Sequence, residues 1–250
     1  MNATEAAISD GMLLGGRVRH AQPLAGHRTG LEPVLLAAAV PARPGERVLE
    51  GGTGSGAALL CLAARVPGLR GVGLERDPAM AALARANASA NGFDGLTVRE
   101  GDLAMPPPEG EPEPPGAFDH ALANPPWHGA GTASPDPGRE AAKRAAPGLF
   151  ALWACRLAAP LRHRGTLPLV AAAAVLPACL AALKEAGCGS PALLPLWPLT
   201  GRPARLVLLQ GVKGGHVPCR VLPGLVLHKA GGGFTPEAEA VLRGGAALVL

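Results

Sequence analysis

From about Glu46 onwards, short apolar runs alternate with longer stretches of helical periodicity. The apolar runs predict strands, and the stretches between them predict helices. The predicted strands cover 46–50, 70–75, 96–100, 119–123 and 166–173, with two extended runs near 192–197 and 204–212, and the predicted helices cover 55–66, 78–91, 146–160 and about 175–186. Strands that alternate with helices favour right-handed crossovers, so the pattern predicts an α/β fold with a mostly parallel sheet and helices on both faces.

The alternating pattern occupies the middle of the chain and has flanks of a different character. We expect a single domain over 1–250, with a core at 46–212, an N-terminal segment at 1–45 and a C-terminal tail at 213–250. Two stretches interrupt the core. The proline- and glutamate-rich residues 104–116 are expected to be a solvated insertion without chemistry. Residues 128–144, which are rich in glycine and carry three cations, suit either a mobile basic lid or a plain connector.

Composition narrows the class of protein without specifying a function. Apolar residues make up 48% and charged residues 17%, which suits a folded globular chain, and a net charge of +4 permits a nucleic-acid partner without demanding one. The five cysteines show no CxxC spacing, so we expect reduced thiols in a cytoplasmic protein and no metal site.

The first 30 residues lack the apolar core of a signal peptide. Residues 167–183 fit a buried strand followed by an amphipathic helix better than a membrane span.

A glycine-rich loop, VLEGGTGSGAALL, follows the first predicted strand. Gly52, Gly54 and Gly56 permit a sharp turn and the close approach of a ligand, and the helix that follows presents unpaired amides. Gly52, Gly54 and Ala57 also fit the dinucleotide spacing, and Glu75 ends the next strand, where a carboxylate can hold two ribose hydroxyls. The loop alone leaves open a dinucleotide site, a site for another nucleoside cofactor, and a glycine turn without a ligand.

Two acidic residues favour a different cofactor from a dinucleotide. Glu50 precedes the glycines and completes E-x-G-x-G-x-G, the signature of class I S-adenosylmethionine-dependent methyltransferases. Its carboxylate would face the cationic amino-acid end of that cofactor, whereas in a dehydrogenase it would crowd a pyrophosphate. Asp102, after the third strand, fits the acid that takes the adenine amino group, with the Leu103 backbone beside it. We therefore expect an S-adenosylmethionine site.

The fourth strand ends in Asn124-Pro125-Pro126-Trp127. Two prolines cannot continue a strand ladder, because each lacks an N–H and fixes φ. Asn-Pro-Pro-aromatic is the signature of methyltransferases that act on a planar sp2 nitrogen, such as an adenine amino group. The Asn124 side-chain oxygen and the Pro125 carbonyl would accept the hydrogens of that amine, and Trp127 would stack on an unpaired or flipped base. We expect these four residues to form the catalytic corner.

Longer stretches of the chain resemble one family. Residues 13–56, 193–214 and 221–228 look like the bacterial tRNA1(Val) (adenine-37-N6)-methyltransferases. The resemblance implies a Rossmann-like class I methyltransferase fold with a seven-stranded, mostly parallel sheet whose last strand is antiparallel. It also implies that the segment from Gln22 to Leu36 lies over the cofactor site, which adds Arg28 and Glu32 as candidate contacts. Glu32, Gly51 and Trp127 stand where the family more often has aspartate, a larger apolar residue, and phenylalanine or tyrosine.

The predicted function is methyl transfer to the N6 of an adenine in RNA, with tRNA, and by resemblance adenine-37 of a valine tRNA, as the substrate. Cations on both flanks are either phosphate contacts or ordinary solvated charges: Arg17, Arg19, His20, Arg28, Lys213, Arg220, His228 and Lys229. The stretch 156–165 is either a phosphate patch or a helix C-terminus. Trp153 and Trp197 are expected to be core residues. No membrane partner is expected, and a monomer is favoured.

Other functions stay open at this point. A protein glutamine N5-methyltransferase of release-factor type would use the same corner, because a carboxamide nitrogen poses the same chemical problem. It generally needs an N-terminal recognition domain, for which the 45 residues before the first strand leave little room. Another rRNA or DNA amino-methyltransferase, an inactive cofactor-binding RNA-associated protein and a nicotinamide oxidoreductase are further alternatives. The last two have no use for the Asn-Pro-Pro corner.

Overall fold

The computed structural model describes residues 7–25, 28–105, 113–126 and 148–250. Its strands are β1 (Ile8–Leu13), β2 (Val18–Pro23), β3 (Arg47–Gly51), β4 (Arg70–Glu75), β5 (Leu96–Glu100), β6 (Phe118–Ala123), β7 (Leu161–Ala172), β8 (Cys188–Trp197), β9 (Leu206–Lys213), β10 (Arg220–Val221) and β11 (Leu225–Val226). Its helices are α1 (Glu32–Ala39), α2 (Ala57–Arg65), α3 (Pro78–Ala90), α4 (Leu149–Ala158), α5 (Leu176–Glu185) and α6 (Pro236–Leu242).

Nine strands of the described residues form one sheet, in the order β5-β4-β3-β6-β7-β9-β8-β10, with β11 also paired to β8. The neighbours from β5 to β7 run parallel to one another. Strand β9 is antiparallel to both β7 and β8. Strands β3 to β9 therefore confirm the predicted seven-stranded class I methyltransferase sheet with its last strand antiparallel, and β10 and β11 extend its edge.

The core consists of two layers, one on each face of the sheet. Along β9, Leu208 packs in a cluster that includes residues of α1, α2 and α6, whereas Val207 and Leu209 pack in a second cluster with α4 and α5. Successive side chains of a strand point to opposite faces, so these helices cover both faces as predicted. The stretch 167–183 is the end of β7 followed by α5, and no helix in the described ranges is long and apolar enough to span a membrane.

Regular structure also occurs in both flanks of the predicted core. The N-terminal segment contains the antiparallel hairpin β1–β2 and helix α1, and the tail contains β10, β11 and α6. Strand β7 begins at Leu161, earlier than predicted, with an irregular register against β6. Arg162, His163 and Arg164 thus lie on a strand, so a helix C-terminus is the wrong interpretation for them. Arg162 instead pairs with Asp119, with 2.6 Å between Nε and Oδ1.

Strand β3 lies where the strand order reverses. The chain passes from β3 to β4 and β5 on one side and returns to β6 on the other. In open α/β sheets, ligands bind outside the carboxyl ends of the strands at such a switch point. Gly51 at the end of β3 pairs with Ala123 at the end of β6. The glycine loop and Asn124 therefore leave the sheet side by side, at the place where a ligand is expected.

Candidate active site

The glycine loop, residues 52–56, joins β3 to α2. Gly52, Gly54 and Gly56 have φ angles of +65°, +57° and +90°, a region that side chains rarely adopt. The amide of Thr53 donates to the Leu74 carbonyl at 3.0 Å, which ties the loop to the end of β4. Gly52 is exposed, so a ligand can reach the loop backbone there.

Glu50 lies on β3 with only 3% of its surface exposed. Burial raises the pKa of Glu50 to about 8, against hydrogen bonds from Thr53 and the Leu59 backbone and with a smaller contribution from the charge of Glu75. The Thr53 hydroxyl donates to its Oε2 at 2.5 Å. The Thr53 side chain also packs on Gly73, where a Cβ would come within 2.8 Å of it. At neutral pH the protonated acid is favoured, and a nearby cation would favour the carboxylate.

Glu75 ends β4 and holds two backbone segments. Its Oε2 accepts from the Gly54 amide at 2.8 Å, and its Oε1 accepts from the Asp77 amide at 3.0 Å. Asp77 in turn caps α3, with 2.9 Å between Oδ1 and the Ala79 amide. A carboxylate has about four acceptor positions, so a ribose would share Glu75 with the protein backbone. The sequence predicted the carboxylate at this place but not its bonds to the loop.

Asp102 and Leu103 follow β5 in a tight turn. The Asp102 Oδ1 accepts from the Ala104 amide at 2.8 Å. The Leu103 side chain is buried and reaches across to β3, where a Cβ on Gly51 would come within 2.3 Å of Leu103 Cδ1 and 3.2 Å of Leu157 Cδ2. The small residue at position 51 therefore leaves a space that two leucines fill. This explains physically why the chain has a glycine there.

Asn124, Pro125 and Pro126 follow β6 without regular structure. Pro125 is buried, and its two neighbours are half-buried. Ala123 pairs with Gly51 on one side and with Leu169 of β7 on the other, so the corner begins between two parallel strands. Trp127, His128 and the 128–144 stretch lie outside the described residues, as do 106–112 of the 104–116 insertion. The stacking role of Trp127 stays a prediction.

Trp153 of α4 contacts the glycine loop, which the sequence did not reveal. A Cβ on Gly52 would lie 2.7 Å from Cη2 of its indole. The indole Nε1 is buried and has no hydrogen-bond partner among the described residues. The prediction that Trp153 is a core residue is therefore incomplete, since the ring also lies against the loop. No local pattern signals this contact, because α4 and the loop are about 100 residues apart in the chain.

The cations in the N-terminal segment and the C-terminal tail, which were candidate phosphate contacts, differ in their exposure and bonding. His20 is 2% exposed, so neither of its two predicted roles, a phosphate contact or a solvated charge, agrees with its burial. Arg17 and Lys213 donate to the main-chain carbonyls of Arg243 and Ala186, at 3.2 and 3.0 Å. The ring of His228 lies 5.1 Å from that of Phe234. The remaining cations are exposed, namely Arg19, Arg28, Arg220 and Lys229.

Two candidates near α1 are not joined to the glycine loop by the described contacts. Arg28 is exposed, and the Glu32 carboxylate lies over Gly30, where it would clash with a Cβ.

All five cysteines are free thiols, in agreement with the sequence. Burial raises the pKa of Cys61 to about 12 and those of Cys179 and Cys188 to about 11.

Two kinds of sequence comparison found similarity to methyltransferases. Residues 32–151 match the family model described as methyltransferase small domain. A tRNA1(Val) (adenine(37)-N6)-methyltransferase from Porphyromonas gingivalis strain ATCC 33277 is 33% identical over 151 residues, which is 57% of this chain and 58% of the relative. Its counterpart from strain W83 is 34% identical over 152 residues. The chain spans a little over half the length of these curated relatives.

Solved structures share the fold. A predicted O-methyltransferase from Agrobacterium tumefaciens has a TM-score of 0.73 and 24% identity, over 88% of this chain and 99% of that one. A geranyl diphosphate C-methyltransferase from Streptomyces coelicolor A3(2) has a TM-score of 0.51 and 14% identity, over 72% of this chain and 76% of that one.

Residues 32–151 therefore match a methyltransferase small domain, and the described sheet has the class I methyltransferase fold. Both findings support S-adenosylmethionine as the cofactor. The two curated relatives confirm the resemblance to the tRNA1(Val) (adenine-37-N6)-methyltransferases noted from the sequence.

Proposed function

We propose that this protein transfers the methyl group of S-adenosylmethionine to the exocyclic N6 of an adenine in RNA, with tRNA as the substrate. One observation carries the proposal. Because Gly51 pairs with Ala123, the Asn-Pro-Pro corner begins beside the glycine loop, at the switch point of the sheet. An acceptor amine at the corner would thus lie next to a cofactor on the loop.

The residues around the loop fit this cofactor. Buried Glu50 would gain a partner in the cofactor's ammonium group, which would stabilise its carboxylate form. The exposed backbone of Gly52 allows close approach. We assign cofactor contacts to Glu50, Gly52, Gly54, Gly56, Glu75, Asp102, Leu103 and Arg28. The bound cofactor supplies a methyl group on a sulfonium, which is a strong electrophile.

The corner deals with the low nucleophilicity of the amine. The N6 lone pair is delocalised into the adenine ring. The Asn124 side-chain oxygen and the Pro125 carbonyl would accept one amine hydrogen each and so favour a pyramidal nitrogen with its lone pair directed at the methyl carbon. The N–C bond forms as the S–C bond breaks, and the positively charged nitrogen then releases a proton to water. No general base is needed before transfer.

Rigidity of the corner matters for the rate. Pro125 is buried and Pro126 has a fixed φ, so the Pro125 carbonyl requires little reorganisation during the reaction. Trp127 would complete the corner by stacking on the target base, at about 1–3 kcal/mol by analogy with single-strand binding platforms. Asn124, Pro125, Pro126 and Trp127 are the proposed catalytic residues.

RNA is the acceptor class that best agrees with the comparisons and the surface. Two curated relatives have names that specify adenine-37 of tRNA1(Val). Arg19 and Arg28 are exposed cations in and just after hairpin β1–β2, and the chain has a net charge of +4. A glutamine carboxamide would suit the corner equally well, so the acceptor needs a direct experiment.

The experiment incubates the protein and radiolabelled S-adenosylmethionine with total tRNA and, in parallel, with a release factor. We expect label in tRNA and N6-methyladenosine in its nucleosides by mass spectrometry. Label in the release factor alone would contradict the proposal and support a glutamine methyltransferase. Synthetic tRNA1(Val) with guanosine in place of adenine-37 is the matched control and should receive no label.

A further inference from the structure

Asn87 of α3 and Asn91, the residue that follows this helix, bind the edge of strand β2 in the way that a neighbouring strand would. Asn91 Oδ1 accepts from the Arg19 amide at 2.8 Å, and its Nδ2 donates to the Arg19 carbonyl at 2.7 Å. Asn87 does the same for Ala21, with both distances at 2.9 Å. Alternate residues of a strand present their N–H and C=O groups to the same side, so these bonds satisfy four backbone groups on the edge facing away from β1.

Asn87 and His20 also bond the glycine loop, both at Ser55. Nδ2 of Asn87 donates to the Ser55 carbonyl at 2.9 Å. His20, between the two anchored residues of β2, shares a hydrogen bond of 2.8 Å between its Nε2 and the Ser55 hydroxyl. His20, Asn87 and Ser55 are 2%, 3% and 6% exposed, so water does not compete freely for these bonds. The loop is therefore held at Ser55 in two ways, because its side chain bonds hairpin β1–β2 and its carbonyl bonds Asn87 of α3, which itself binds β2.

Ser55 lies between Gly54 and Gly56, which both have positive φ. Glycine loses more backbone freedom on ordering than other residues do. Bonds that hold Ser55, between the two glycines, should therefore contribute strongly to the ordering of the loop. A buried imidazole and hydroxyl are also costly unless they are paired, which makes the His20–Ser55 bond sensitive to the position of β2.

We propose that His20 is a positioning residue for the cofactor loop, and that through Ser55 it couples the docking of hairpin β1–β2 to the binding of S-adenosylmethionine. Coupling between two binding events is reciprocal, so the cofactor should also hold the hairpin more firmly on α3. The proposal concerns the cofactor and is independent of the methyl acceptor.

The test measures the dissociation constant of S-adenosylmethionine by calorimetry, without RNA, for wild type and five variants. His20→Leu and Ser55→Ala should each weaken binding about 10-fold. Each variant removes the His20–Ser55 hydrogen bond and leaves the other buried polar side chain without that partner. His20→Gln, whose amide can still reach Ser55, should return the affinity to within about 3-fold of wild type. The double variant H20L/S55A should bind no more weakly than the weaker single variant, because both remove the same bond.

Ser9→Ala is the matched control. The Ser9 hydroxyl donates to the Gln22 carbonyl at 3.4 Å, a bond within the same hairpin that does not involve the loop. This variant should leave the affinity unchanged. Hydrogen exchange of residues 8–23 should slow when the cofactor binds to wild type and to S9A, but much less in H20L and S55A.

Three results would overturn the proposal: wild-type affinity in folded H20L, additive losses in the double variant, or cofactor protection of the hairpin that survives in S55A. Should H20L fail to fold, the S55A affinity and exchange decide alone. None of these results bears on which acceptor is methylated, so a failure here is distinct from a failure of the proposed function.

Discussion

The indole of Trp153 lies against Gly52, so that a Cβ on this glycine would come within 2.7 Å of Cη2. Gly52 also has a φ of +65°. Gly54 has a similar φ of +57°, but a Cβ there would come no closer than 4.0 Å to Met80 Cε. The two glycines of one loop therefore separate the cost of a left-handed backbone from the cost of a steric clash.

Gly54→Ala should lower the free energy of unfolding by about 1–2 kcal/mol, the cost of a side chain in the left-handed region. Gly52→Ala should cost about 1–3 kcal/mol more, because the aromatic ring must also move. Urea denaturation measures both losses. The G52A/W153V double variant should show less than the sum of its single losses. Equal losses in the two alanine variants would mean that the ring does not occupy this place.

Gly51 and Leu103 give a second prediction. Gly51→Ala should destabilise the protein, since its Cβ would lie 2.3 Å from Leu103 Cδ1. It should also weaken S-adenosylmethionine binding, because Leu103 would be displaced from its proposed place beside the cofactor. The loss of stability in G51A/L103A should fall short of the sum of the single losses by about 1 kcal/mol or more. Additive losses would show that the two residues do not compete for space.

Glu50 predicts a particular pH dependence of stability. Its pKa is about 8 in the folded protein, raised by burial from 4.5. Between these values the folded state keeps a proton that the unfolded chain has lost, so the stability contributed by Glu50 is present below pH 4.5 and is lost as the pH rises through about 8. Glu50→Gln removes this titration. The free energy of unfolding of wild type minus that of E50Q should therefore fall from pH 5 to pH 9, and a constant difference would contradict the raised pKa.

Much of the fold could be predicted because local sequence determines it. The apolar runs 70–75 and 96–100 match β4 and β5. Hairpin β1–β2 could not be predicted. Its strands mix polar and apolar residues, and its edge is satisfied by asparagine side chains 66 and 72 residues away, which leave no periodic signal.

The candidate site shows the same division. The places of Glu50, the glycines, Glu75 and Asn124 in the fold could be predicted, because each lies at the end of a predicted strand or in the turn that follows it. The contacts of His20 with Ser55 and of Trp153 with Gly52 could not be predicted, because they depend on how distant elements pack. The hydroxyl residues within GTGSG were the one local signal for the bonds made by Thr53 and Ser55.

The most direct test of the methyl-transfer proposal compares Asn124→Ala with wild type in two measurements on the same preparation. Calorimetry should give dissociation constants for S-adenosylmethionine that agree within about 3-fold, because Asn124 is assigned to the acceptor amine and not to the cofactor. Single-turnover formation of N6-methyladenosine in tRNA, followed by mass spectrometry, should slow by about 100-fold or more, the usual cost of removing one such oxygen or donor from a reacting centre. A wild-type rate in N124A, with cofactor binding intact, would contradict the account.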